Sequence, residues 1–268
     1  MAQPTALPDP AALARNRARA DTLFLQDTAR DELQDRVAMV NKPFRSTAVV
    51  TGFPQVWAQG DTTIVADGDV LDIAQGAHEL VLHSRGLHWA NDPVGQLIQC
   101  RRALKPDGLL LAASLGGQSL HELRACLAEA EIAVTGGLSP RVAPMAELRD
   151  LGALLQRAGL ALPVADSVPL TVQYRDMWHL MRDLRAMGET NALAARLRQP
   201  TRRAVFDRAA NIYAATYPGD TGGIIATFEL IVLTGWAPDA SQPQPLRPGS
   251  ATARLADALG TDETPLSD

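Results

Sequence analysis

An α/β fold on a largely parallel sheet is predicted by three observations along this 268-residue chain. Residues 87–117 read as a helix, a tight turn and a buried strand, a unit typical of the second half of a nucleotide-binding sheet. Ahead of it stand short strand-like runs, at 46–51, 62–66 and 80–83, the first bounded by Gly52 and the second by Asp67-Gly68-Asp69. After it, helical patterns lead to two more strand-like runs, at 170–174 and 224–234.

The elements follow in order. Residues 1–45 form an N-terminal helical segment, with Leu13, Leu23, Leu25, Leu33, Val37 and Val40 as its apolar positions. Only part of that series keeps a helical repeat, which allows two helices. Asn91-Asp92-Pro93 starts a helix, with a side-chain acceptor at the cap and proline in the first turn. That helix stops at Lys105-Pro106-Asp107-Gly108, which turns the chain into the apolar strand 109–113. Helical patterns cover about 119–133 and 144–158, then 177–187 and 192–217 with an interruption at Pro200. The α/β domain therefore spans 46–237, with a helical cap around 175–217. From 238 to 268 prolines are frequent and large apolar residues few, which predicts a disordered tail.

Composition narrows the function. A hydrophobic content of 46% supplies a sizeable core, and a net charge of -5 argues against a nucleic-acid partner. Cys100 and Cys126 lie within helical patterns without redox or metal spacing, and the histidines show no metal-ligand motif, so no metal is expected. No apolar run reaches transmembrane length. The arginine-rich stretch 11–20 has the look of a presequence, but Asp21, Asp27, Asp31 and Glu32 continue it, and acids are scarce in transit peptides. A cytoplasmic protein is the expectation.

The motifs Leu87-His88-Trp89-Ala90-Asn91-Asp92, Arg102-Ala103-Leu104-Lys105-Pro106-Asp107-Gly108 and Gly116-Gly117-Gln118-Ser119 are joined by others downstream. These are Ser139-Pro140-Arg141-Val142, Asp183-Leu184-Arg185-Ala186-Met187-Gly188-Glu189-Thr190-Asn191, and the closing Thr227-Phe228 and Gly235-Trp236. Over roughly residues 20–237 the chain resembles the class I S-adenosylmethionine-dependent methyltransferases. Within them it is most similar to the family of the complex I assembly factor that itself resembles the biotin-pathway malonyl-carrier methyltransferase. The resemblance implies a Rossmann-like sheet with an antiparallel last strand and helical cap insertions. It also implies S-adenosylmethionine as cofactor and a protein partner, a subunit of respiratory complex I.

One region departs from that family. Its first strand ends in a motif of the Asp-Leu-Gly-Cys-Gly-x-Gly type, whose glycines admit the cofactor. Here the stretch is Val49-Val50-Thr51-Gly52-Phe53-Pro54, with a single glycine. Eight residues separate Gly52 from Asp61, fewer than the roughly 10–12 of a βαβ crossover. The first half of the sheet is therefore expected to be shortened.

Candidate sites follow from position. Gly52, Asp67, Ser84 and Leu87 lie at strand ends where such sheets place a cofactor. Asp67 suits the adenine amino group or, if its strand lies beside the first, the ribose hydroxyls. His88 is the candidate base and Trp89 a pocket wall. Arg141 and Arg185 suit a carboxylate or an acidic partner patch, and Tyr174 a hydrogen bond to substrate. Each has a plainer reading as turn, core or solvated surface. Two functions stay open: a methyltransferase acting on a protein or carrier-bound substrate, and a non-catalytic relative serving as an assembly scaffold.

Overall fold

The structure, a computed structural model, describes residues 6–58, 62–243 and 260–261. It divides into two units, Met1–Pro238 and Asp239–Asp268. In the second unit the described residues include a turn at 239–242, where Ser241 Oγ donates to Asp239 at 2.6 Å. Residues 244–259 and 262–268 of the expected tail lie outside the described residues.

Helices α1 (Pro10–Arg17) and α2 (Phe24–Met39) open the first unit, followed by β1 (Thr47–Thr51), β2 (Thr62–Ala66) and β3 (His78–Ser84). Then come α3 (Pro93–Ala103), β4 (Leu104–Leu115), α4 (His121–Thr135), α5 (Leu148–Arg157), β5 (Ala161–Tyr174), α6 (Met177–Ala186), α7 (Arg203–Thr216) and β6 (Ile224–Trp236). The strands form one sheet in the order β2-β1-β3-β4-β6-β5. β2, β1, β3 and β4 run parallel, and β6 runs antiparallel to both of its neighbours. This is the expected methyltransferase-type sheet, with its antiparallel last strand and shortened first half.

Strand alternation divides the core. Ala48 and Val50 face a layer with Leu97 and Cys100 of α3 and Leu151 and Leu155 of α5. Val49, between them, faces the opposite layer with Ala29 and Leu33 of α2. A third cluster, of α4, α6 and α7, packs against the end of the β5–β6 ribbon. Residues 230–236 of β6 pair with β4, while 224–229 extend past it along β5 and carry Ile224, Ala226 and Phe228 into that cluster.

The crossover shortage is visible. Between β1 and β2 the described residues hold one 3₁₀ turn, Pro54–Val56, and 67–77 reach β3 without a helix. Asp92 caps α3 by accepting from the Gly95 amide at 2.8 Å, as the Asn-Asp-Pro start requires. Asp107 takes φ +57 in the Lys-Pro-Asp-Gly turn, which sits inside β4 as a register shift.

Two element bounds need correction. The strand expected at 170–174 begins at Ala161, across Pro163 and Pro169. β5 is the edge strand, where a missing amide donor costs no ladder bond. The helix expected from 192 begins only at Arg203. Residues before it pair with the N-terminus instead: the Asp9 amide donates to the Ala192 carbonyl at 2.7 Å and the Ala194 amide to the Leu7 carbonyl at 2.9 Å. The helical segment 11–40 is broken between α1 and α2, where the amides of Asp21 and Thr22 donate to the Ala186 carbonyl.

Candidate functional site

Open α/β sheets bind ligands beyond the carboxyl ends of their strands. Here β1 leads into Gly52, β2 into Asp67 and β3 into Ser84–Trp89. β2 lies beside β1, so Asp67 stands where a ribose-facing acid was expected. That place is taken by α1. Arg17 donates from Nη1 and Nη2 to the two carboxylate oxygens of Asp67, both at 2.8 Å. The pair is largely covered, with side-chain exposures of 15% for Arg17 and 7% for Asp67. The guanidinium lies so close over Gly52 that a Cβ there would collide with it. Its Cζ is 5.7 Å from the centre of the Phe53 ring.

A second charged pair lies behind the first. Arg85 has φ +54 and a buried side chain, and its Nη2 donates to Glu189 Oε1 at 2.8 Å. Its Nε and Nη1 have no hydrogen-bond partner among the described residues. Trp89 Nε1 donates to Glu189 Oε2 at 3.4 Å, and His88 Nε2 lies 3.8 Å from that oxygen, beyond hydrogen-bond reach. Burial alone would raise the Glu189 pKa, but the Arg85 charge and further cationic contacts bring it down to about 2. Burial pulls the His88 pKa below the ordinary histidine value, and both ring nitrogens lack hydrogen-bond partners among the described residues. His83 is shifted the same way by burial, with Nε2 2.9 Å from Gln96 Oε1. Ser84 Oγ is buried and has no hydrogen-bond partner among the described residues, while Leu87 packs in the core with α3.

The other side of the edge is apolar. A cavity of ≈ 310 Å³ is lined by Leu25, Leu120, Leu123, Met181, Phe206 and Phe228 among others. Trp89, Arg141, Glu189 and Asn191 supply its polar groups. Arg141 already holds Glu131 in a two-point bond, at 2.9 and 2.6 Å, and donates from Nη1 to Thr201 at 2.9 Å. Tyr174 is buried and donates to Asp183 at 2.7 Å, and burial pushes its pKa well up. Arg185 is exposed at the last turn of α6, outside the cavity lining.

Of the residues singled out from sequence, the structure brings Gly52 and Asp67 together, and separately Trp89 and Arg141. Missed were Arg17 and Arg85, whose partners lie 50 and 104 residues away in sequence. Among the described residues no His, Cys, Asp or Glu cluster is arranged for a metal, and no helix is long and apolar enough to cross a membrane.

No family model matches the chain. It is 38% identical over 194 residues to a Danio rerio protein named arginine-hydroxylase NDUFAF5, mitochondrial, covering 72% of this chain and 60% of that one. The Homo sapiens protein of the same name is 36% identical over 195 residues, covering 73% and 56%. A malonyl-[acyl-carrier protein] O-methyltransferase of Laribacter hongkongensis is 32% identical over 195 residues, covering 73% and 63%. The chain is a homologue of both groups. It matches about three fifths of the length of these curated relatives. Among solved structures, a putative methyltransferase of Bacillus halodurans aligns with a TM-score of 0.48 at 12% identity, over 78% of this chain and 98% of that one.

These relatives correct one expectation. The NDUFAF5 homologues are named as mitochondrial, which overturns the cytoplasmic assignment. The acids that argued against a presequence belong to a folded segment: Asp27 and Asp31 pair with Arg30 on α2. Their presence reports on that helix and carries no information about compartment.

S-adenosylmethionine, the cofactor the resemblance implies, does not fit the strand ends as they stand. The Arg17 guanidinium fills the space over Gly52, and both Asp67 oxygens are committed to it.

Proposed function

We propose that this chain is a partner-binding assembly factor for respiratory complex I that works without gripping S-adenosylmethionine in the state seen here. The homology to NDUFAF5 supports the assembly role. The Arg17–Asp67 pair over Gly52 is the observation that carries the rest. A cofactor would have to displace a two-point ion pair before it touched the glycine. The apolar cavity is the receiving side: its volume suits a few side chains of a partner segment, with Trp89, Glu189 and Asn191 fixing orientation.

A second reading, methyl transfer to a protein or carrier-bound substrate, is favoured by the retained Gly52 and Asp67 and by the methyltransferase homologues. It requires α1 to leave the cleft. The assembly role is tested by deleting the gene in its own host and measuring NADH:ubiquinone oxidoreductase activity and assembled complex I on native gels. Activity is expected to fall, and to return with the wild-type chain but not with a folded Ala143→Trp variant that fills the cavity. Unchanged complex I after deletion contradicts the proposal.

A further inference from the structure

The geometry points to a guanidinium-binding recess, formed by Gly52, Phe53, Asp67 and Gly86, that the chain fills reversibly with its own Arg17. This inference stands independently of the complex I role.

Each wall matches a planar, doubly donating cation. Asp67 presents both oxygens to one guanidinium, the fork geometry that distinguishes arginine from lysine. Gly52 leaves the floor open, since any Cβ there would occupy the guanidinium's place. Phe53 offers a ring to the cation at 5.7 Å. Gly86 makes room for the acid, because a Cβ on it would press on the Asp67 carboxylate. The recess also opens to the outside through a cleft of ≈ 760 Å³ that Arg17, Gly52, Gln55, Ile64 and Asp67 help to line.

The occupant is lightly held. α1 is an eight-residue helix that buries only Ala12 and Asn16, and its apolar anchorage is one small cluster in which Ala12 and Leu13 meet Trp89, Ala192 and Leu193. Its other side-chain attachments are polar: Asn16 Nδ2 donates to the Thr190 carbonyl at 3.0 Å, and Asp9 pairs with Arg196 and Arg198 at 2.9 and 3.1 Å. Such contacts exchange readily with water and weaken with salt. A small guanidinium compound offered from outside therefore competes with Arg17 for Asp67 and releases α1. The tether gives Arg17 an effective concentration on the order of mM, so a free competitor acts only at comparable concentrations.

Chemical rescue tests this directly. Methylguanidinium chloride is titrated into the full chain, into Arg17→Ala and into Arg17→Ala/Asp67→Asn, with equal sodium chloride as the control, and melting temperature is followed. Saturable stabilisation of Arg17→Ala alone is expected. No stabilisation beyond sodium chloride, or equal stabilisation of the double variant, overturns the inference. Should Arg17→Ala fail to fold, hydrogen exchange on the wild-type chain decides. Methylguanidinium should then speed exchange of the α1 amides several-fold over the salt control, and unchanged exchange overturns the inference.

Discussion

Across the edge of the sheet, the place over Gly52 and Asp67 is filled by the Arg17 guanidinium at the floor of an outer cleft, while the side facing α4, α6 and α7 holds an apolar cavity. The contrast follows from what each lining can tolerate. An apolar cavity stands open at the cost of lost packing contacts alone. A buried carboxylate or guanidinium without a partner is far more costly, so Asp67 and the buried Arg85 must each be paired with ligand, water or the chain itself. Here Arg17 pairs with Asp67, and Glu189 with Nη2 of Arg85, whose Nε and Nη1 keep no partner among the described residues. The same sheet edge can therefore keep an apolar pocket on one side and fill the place over Gly52 on the other with an ion pair, while Glu189 both pairs with Arg85 and lines the pocket.

The largest expected effect breaks the sealed side. Glu189→Gln leaves the buried Arg85 without its counter-charge, and a loss of about 3–5 kcal/mol in unfolding free energy is expected from urea titration. A loss under about 1 kcal/mol would mean that Arg85 finds other acceptors in the cleft.

Acid should act next, and in one direction. Glu189 has its pKa depressed on folding, so its contribution is present above about pH 4.5 and is lost as pH falls toward about 2. His83 and His88 are also depressed, by burial. Below about pH 6.5 the unfolded chain takes up protons on them that the folded chain refuses, so stability falls there too. Each contributes at most ~1.4 kcal/mol per pH unit. Urea midpoints should drop steadily from pH 7 to pH 5, with a shallower slope in His88→Gln. A flat profile would place these rings in contact with water.

The open side should respond weakly. Ala143→Leu adds volume to the wall of the ≈ 310 Å³ cavity and is expected to change stability by less than about 1 kcal/mol, read by thermal melting. A loss above about 2 kcal/mol would mean that the wall is already fully packed. Smallest of all is Arg185→Ala, on the exposed last turn of α6, with an expected change within about 0.5 kcal/mol.

Much of this contrast was legible before the fold was seen. The apolar run of β4 and the Asn-Asp-Pro and Lys-Pro-Asp-Gly signals around α3 act locally, so they predicted their elements closely. The eight residues between Gly52 and Asp61 announced the missing crossover, because a helix with its two connections needs roughly 10–12 residues or more. Local signals failed where partners are distant. The strand was expected only at 170–174, and its reach back across Pro169 and Pro163 to Ala161 depends on β5 being an edge strand. Residues 192–202 carry helix-forming alanines, yet the N-terminal segment takes up part of their backbone bonding. The closure over Gly52 was hidden for the same reason. Arg17 looked like one arginine among many, and only the fold brings it over Gly52 and onto Asp67.

Calorimetric titration of the wild-type chain with S-adenosylmethionine and S-adenosylhomocysteine tests the sealed cleft most directly. The closed Arg17–Asp67 pair predicts no saturable heat and no shift in melting temperature at millimolar ligand, since a ligand that binds the folded state must stabilise it. Micromolar binding, lost in Gly52→Trp, would contradict the account and return the chain to the methyltransferases.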